Sequence, residues 1–234
     1  MRRTLLLLPV LLVSLTTFAQ SGEWGSRGES RRFAVLGDVV FAADGRGVTT
    51  YDVSDAANIR AVDFDTTNEE TYDLAIVPGS PAHLAVATKR GIDWYRIDGA
   101  SISGPVEQTE TREPVRHLAA GAHLIAAVTG QSVEVFRFEQ ETAIHVTEYA
   151  FRNPVLGVAL AGDVVYASVE REGTYVYEAP ASEWTTKLLE APIAFAQSGN
   201  ILWGVSHDTG LTGINVQNPA APQVISSTGL AESF

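Results

Sequence analysis

An apolar residue followed by alanine recurs five times along this chain, as Phe33-Ala34, Leu74-Ala75, Leu118-Ala119, Val158-Ala159 and Phe195-Ala196. The alanines are 41, 44, 40 and 37 residues apart. Self-similarity at such a period constrains a fold more tightly than any single motif. Each pair opens a strand-like stretch that meets a turn: Gly37-Asp38, Pro78-Gly79-Ser80, Gly121, Gly162-Asp163 or Gly199-Asn200. Glycine beside Asp, Asn or Ser supplies the positive φ that tight hairpins require. A second, almost continuously apolar run follows in every copy: Val39 to Ala43, His83 to Ala87, His123 to Ala127, Val164 to Ser168 and Ile201 to Val205. Such runs suit strands buried on both faces. A third strand opens near Gly47, Gly91, Ser132, Gly173 or Gly210. Its fifth residue is aromatic in four copies (Tyr51, Tyr95, Phe136 and Tyr177) and Ile214 in the last. A more polar fourth strand closes the copy, for example Ile59 to Phe64 or Ile144 to Tyr149.

Four short antiparallel strands in about 40 residues, with no amphipathic helix between them, predict an all-β fold: a β-propeller of five four-stranded antiparallel blades over residues 33–229. A β-sandwich has no reason for fivefold self-similarity. The alanines let neighbouring inner strands approach closely, and the third-strand aromatics fill the wedge that widens away from the axis. After the fifth copy, Leu230-Ala231 repeats the opening pair 35 residues beyond Ala196. Residues 230–234 are therefore a C-terminal tail or the start of a truncated sixth blade, and the alternative architecture is a partial ring of a larger propeller. An unlatched seam leaves an edge that invites self-association.

Residues 1–19 have the three-part build of a signal peptide. Met1-Arg2-Arg3 is cationic, Leu5 to Leu15 is apolar, and Thr17-Phe18-Ala19 precedes a cut ahead of Gln20. Residues 20–32 read as a linker. The expected location is secreted, periplasmic or cell-surface, with no integral membrane segment once the leader is cleaved. Cleavage removes two of the 16 basic residues and none of the 28 acids, taking the net charge from -12 to -14. That balance argues against nucleic acid, which needs a basic surface to displace counterions. With no cysteine, disulfides, thiolate zinc sites and a cysteine nucleophile are all excluded.

Two third-strand exits, Tyr51-Asp52-Val53-Ser54-Asp55-Ala56-Ala57-Asn58 and Ile214-Asn215-Val216-Gln217-Asn218-Pro219-Ala220-Ala221-Pro222, resemble the LVIVD repeat. In that family an apolar third strand ends in Asp-Ile/Val-Ser-Asp/Asn-Pro. Val165-Tyr166-Ala167 followed by Gly173 is also similar. The other exits, Tyr95-Arg96-Ile97-Asp98, Phe136-Arg137-Phe138-Glu139 and Tyr177-Glu178-Ala179-Pro180, depart from the motif. The resemblance implies a secreted or surface-associated bacterial propeller with no general assigned activity. Physically, Asp or Asn at a strand exit accepts local backbone hydrogen bonds and fixes a turn.

Propellers present ligands on the loops joining second to third strands and fourth strands to the next blade. The first set supplies Asp44, Arg46, Arg90, Glu170, Arg171, His207 and Asp208, and the second Asp73, Arg116, His117 and Arg152. Mixed charge converging there suits a protein or carbohydrate ligand. The leading function is thus a non-catalytic binding scaffold. One alternative is a glycosidase-like hydrolase using Asp44, Asp73, Glu170 or Asp208 as axial carboxylates, which must converge within about 5–10 Å of a sugar. Another is a fragment of a larger cell-surface protein. No metal or cofactor is expected. The acidic stretch from Asp63 to Asp73 lacks glycine at the sixth position of an EF-hand loop, and it reads as a solvated linking loop. There is no zinc-type histidine pair, Gly-x-Ser-x-Gly elbow or phosphate-cradling loop.

Overall fold

The structure, a computed structural model, describes residues 30–67, 69–206 and 210–228. The leader, most of the linker, the tail, His207 and Asp208 lie outside the described residues. Among the described residues there is no helix, and so none long and apolar enough to cross a membrane.

Twenty strands form five four-stranded sheets. Blade 1 comprises β1 (Ser30–Leu36), β2 (Val39–Asp44), β3 (Gly47–Asp52) and β4 (Arg60–Thr66). Blade 2 comprises β5 (Thr71–Val77), β6 (His83–Thr88), β7 (Gly91–Asp98) and β8 (Ser101–Glu110). Blade 3 comprises β9 (His117–Ala120), β10 (Leu124–Thr129), β11 (Ser132–Glu139) and β12 (Thr142–Ala150). Blade 4 comprises β13 (Val155–Ala161), β14 (Val164–Val169), β15 (Gly173–Glu178) and β16 (Thr186–Leu188). Blade 5 comprises β17 (Ala194–Ser198), β18 (Ile201–Ser206), β19 (Gly210–Asn215) and β20 (Gln223–Thr228). Within each sheet the strands pair antiparallel in chain order, as the repeat predicts.

All five third strands start at the anticipated residue, and the backbone explains why. Gly91 has φ 146°, and a Cβ there would lie 1.9 Å from the Thr109 carbonyl oxygen across the β7–β8 ladder. Gly173 repeats this, with φ 105° and the Leu188 carbonyl 2.1 Å away. The third-strand exits also behave as expected of Asx turns. Asp52 Oδ1 accepts from the Ser54 backbone N–H at 3.0 Å and its hydroxyl at 2.6 Å, and Asn215 Oδ1 accepts from Gln217 N–H at 2.9 Å. These Ser54 bonds, with Arg60 alongside, hold the Asp52 carboxyl below the usual carboxylate range.

Three boundaries differ from the sequence reading. Strand β1 begins at Ser30, inside the segment taken as linker. Strand β4 runs past the expected Phe64 to Thr66, so Asp65 belongs to it rather than to a solvated loop, and Asp63 Oδ2 accepts the Ile102 N–H of blade 2 at 3.3 Å. Strand β16 has only three residues.

Apolar cores fill the gaps between successive blades. Phe41, Ala43 and Val48 of blade 1 pack on Leu74, Leu84, Val86 and Tyr95 of blade 2. Ala85, Ile92 and Trp94 of blade 2 meet Leu118, Ile125 and Phe136 of blade 3. Val128, Val133 and Val135 of blade 3 meet Val158, Val165 and Tyr177 of blade 4. Ala159, Tyr166 and Val176 of blade 4 meet Leu202 and Ile214 of blade 5. In each case the third-strand aromatic, or Ile214, projects toward the preceding blade and fills the wedge. Tyr177 stacks on Tyr149 of blade 3 with ring centroids 3.9 Å apart, and burial pushes both phenols up to about 12. Among the described residues no core joins blade 5 to blade 1.

Candidate functional site: the axial rim

The first strands of all five blades, β1, β5, β9, β13 and β17, line a cavity of 490 Å³. Its walls include Ala34, Leu74, Ala75, Leu118, Ala119, Val158, Ala159 and Phe195. Among the described residues every lining side chain is apolar except that of Gln197. The alanine repeat is thus the inner wall of the channel, and among the described residues no carboxylate lines it.

Polar chemistry gathers instead at one end, where β5 and β9 begin. Asp73 Oδ1 accepts its neighbour Leu74 N–H at 2.9 Å, and Oδ2 accepts the Leu118 N–H of blade 3 at 3.0 Å. The carboxylate therefore straps two inner strands together and satisfies a buried donor that would otherwise cost about 1–3 kcal/mol. His117 Nδ1 lies 3.7 Å from Asp73 Oδ2, and Arg32 Nε lies 3.9 Å from Oδ1. The Arg116 guanidinium sits 4.0 Å above the Tyr72 ring centroid, a cation–π pair at an exposed edge. Successive blades contribute Tyr72-Asp73 and Arg116-His117 at matching positions, so the two dipeptides face each other across one inter-blade step.

The structure thus brings Asp73, Arg116 and His117 together, joined by Arg32 and Tyr72, which the loop reading missed. Both lie at or beside first strands, the element that the loop criterion passed over. The remaining candidates are placed elsewhere. Asp44 is buried and accepts from Thr49 Oγ1 at 3.0 Å. Arg46 is exposed at the β2–β3 turn, where its carbonyl accepts the Thr67 N–H at 2.9 Å. Arg90 pairs with Glu110 at 3.2 Å, and Arg171 lies 3.7 Å from Glu170. Arg152 is exposed and helps hold the Glu172 carboxyl low, after the larger effects of hydrogen bonds from Tyr175 and Asn153. Among the described residues no cluster of three His, Asp or Glu side chains is arranged to hold a metal ion.

A second inter-blade tie lies at the β11–β12 turn of blade 3. Glu141 Oε1 accepts from the Arg96 guanidinium of blade 2, at 2.9 Å from Nε and more closely from its terminal nitrogen, and His83 Nε2 lies 3.7 Å away. The Arg96 hydrogen bond holds the Glu141 carboxyl below its ordinary range. The neighbouring Phe138 is sandwiched between Trp94, stacked at 4.4 Å, and His83 at 4.9 Å.

Solved structures share this architecture. The β-propeller domain of Myceliophteria thermophila Cps50 (Swd1) superposes with a TM-score of 0.66 at 12% identity, covering 83% of this chain and 67% of that one. Saccharomyces cerevisiae Sqt1 gives 0.68 at 10% identity, covering 87% and 63%. The chain is a β-propeller. The computationally designed Ika8 protein also resembles the propeller, with a TM-score of 0.61 at 14% identity over 87% of this chain and 63% of that one. The propeller thus spans 63% of the length of both Ika8 and Sqt1. No known family profile and no curated protein matches the sequence.

Proposed function

We propose that this propeller is an exported, non-catalytic scaffold of the LVIVD-repeat kind that holds a protein or carbohydrate ligand at its rim. One observation carries the reading: among the described residues no carboxylate lines the channel, and two of the expected axial acids serve the fold. Asp73 is spent on backbone donors and Asp44 is buried. A glycosidase needs a carboxylic acid and a second carboxylate free to face the sugar. The exposed Arg32 and Arg116 and the half-buried His117 instead offer two cations and an imidazole, from blades 1 and 3, to one ligand. Loops on a rigid scaffold are well suited to that task. Export rests on the leader.

The test is capture of glycans and peptides on the immobilised protein. The expected result is a bound class whose affinity falls by ~10-fold or more in Arg116→Glu, which reverses the charge over Tyr72. Turnover of aryl glycosides without capture would overturn the reading in favour of a hydrolase. For export, the N-terminal sequence of the protein recovered outside the cytoplasm is expected to begin at Gln20.

A further inference from the structure

The third residue of the third strand is Thr49, Asp93, Glu134 or Thr212 in four blades, but Tyr175 in blade 4. The wedge between blades is filled by the residue two positions on, so nothing in the repeat calls for this extra aromatic. Blade 4 also has the short outer strand. β16 pairs with Thr174, Tyr175 and Val176, and the loop leading into it carries Trp184, which is 52% exposed. The Trp184 and Tyr175 rings meet at 6.0 Å and 72°. On blade 3, the Phe151 ring stands 5.4 Å from Tyr175. An indole left in water forgoes the stabilisation that burial would give, so the fold alone does not account for this one.

Polar groups are fixed around the same tyrosine. Its hydroxyl donates to Glu172 Oε2 at 2.6 Å and accepts from Lys187 Nζ at 2.9 Å. The Lys187 ammonium stands 4.4 Å from the Tyr175 ring centroid. Glu172 Oε1 accepts from Asn153 Nδ2, on the connection between blades 3 and 4, at 2.9 Å. Hydrogen bonds from Tyr175 and Asn153 hold this carboxyl low, so at neutral pH it is an acceptor with lone pairs to spare. Lys187 likewise keeps donors to spare. Trp184 and Glu172 therefore both touch Tyr175, one at its ring and the other at its hydroxyl.

We propose that this strip of blade 4 binds a glycan built of pyranose units, with one sugar stacked on Trp184 and its neighbours along the chain hydrogen-bonded by Lys187 and Glu172. A pyranose offers a flat face of polarised C–H groups to the negative face of an aromatic ring, and it is edged by hydroxyls that both donate and accept. The ionised Glu172 takes hydroxyl protons, and Lys187 takes hydroxyl oxygens. An apolar peptide side chain would cover Trp184 but leave this carboxylate and ammonium desolvated without new partners. A cationic ligand would meet Lys187, which already stands over the Tyr175 ring. The polar groups are pinned before any ligand arrives, so little ordering opposes binding. The axial rim contributes no residue to the strip, and the inference does not rest on what the rim holds.

Calorimetric titration of the purified full chain tests this, with the β-linked hexasaccharides of glucose, xylose, mannose and N-acetylglucosamine and the α-linked hexasaccharide of glucose. The wild type is expected to bind at least one of them. Trp184→Ala should weaken that binding by ~10-fold or more, as loss of a tryptophan anchor does. Trp184→Phe keeps a ring face and should recover part of the loss. Glu172→Gln should weaken binding by ~3- to 10-fold, since a charged acceptor becomes a neutral amide. Unchanged melting temperatures of the two Trp184 variants show that they are folded. Failure of the wild type to bind any of these sugars would overturn the proposal, as would undiminished binding by Trp184→Ala. Binding that falls in Arg116→Glu but survives Trp184→Ala would assign the sugar to the axial rim and remove it from this strip. Trp184-dependent capture of a peptide library without binding of any sugar would overturn the proposal in favour of a protein partner.

Discussion

Blades 2 and 5 place a tryptophan on the same side, the one facing the following blade, but arrive at it differently. In blade 2 the large residue is on the third strand, with Trp94 opposite Ala85. In blade 5 it is on the second strand, with Trp203 opposite Gly213. A Cβ added to Gly213 would meet the Trp203 ring at 3.0 Å, so glycine makes room for the indole as Ala85 does for Trp94. The volume on that face is conserved while its source is exchanged. What differs is the cover. Trp94 is fully buried under Phe138 of blade 3, and its indole N–H donates to Thr109 Oγ1 at 2.9 Å. Trp203 belongs to none of the four inter-blade cores. Repeat units of one design therefore acquire unequal stability from position in the stack alone.

The largest expected effect separates these two residues. Trp94→Ala should cost about 3–5 kcal/mol in urea unfolding, for the cavity left between two sheets. Trp203→Ala should cost less than half of that in dilute solution. Equal losses would break the comparison. Next in size is Asp73→Ala, which leaves the Leu118 N–H without its acceptor at a cost of about 1–3 kcal/mol. Its melting temperature should fall with little change in circular dichroism at room temperature.

The smallest effect concerns the Arg96–Glu141 tie. Because Arg96 holds the Glu141 carboxyl low, the folded state favours the ionised form. The stability this supplies is fully present above the ordinary glutamate range and is lost as pH falls through the depressed folded value. Glu141→Gln should flatten part of the acid limb of a melting-temperature profile. An unchanged profile would show that the tie is decorative.

Most of the architecture was legible because its determinants are local or periodic. A glycine whose Cβ would strike the facing carbonyl, as at Gly91 and Gly173, announces its strand start without reference to the rest of the chain. The Asx turns at Asp52 and Asn215 are equally local. The site was less legible. Asp73 read as a rim acid because its position on the loop side was visible, whereas its bond to Leu118 N–H, forty-five residues on, depends on how two blades stack. The reach of β4 past Phe64 was hidden because an acid such as Asp65 in an outer strand resembles a loop acid. Arg32 and Tyr72 went unnoticed because nothing in their immediate sequence marks them as rim residues. Only the alignment of Tyr72-Asp73 with Arg116-His117 hints at it.

The absence of a described core between blades 5 and 1 changes how this molecule comes apart. A closed ring has no first unit to lose, since every blade is held on both sides. In a repeat array each blade is stabilised by itself and by its neighbours, and on blade 5 Val205 and Leu211 are each 40% exposed. Opening should then fray inward, with amides of β18 and β19 exchanging faster than those of β6 and β10.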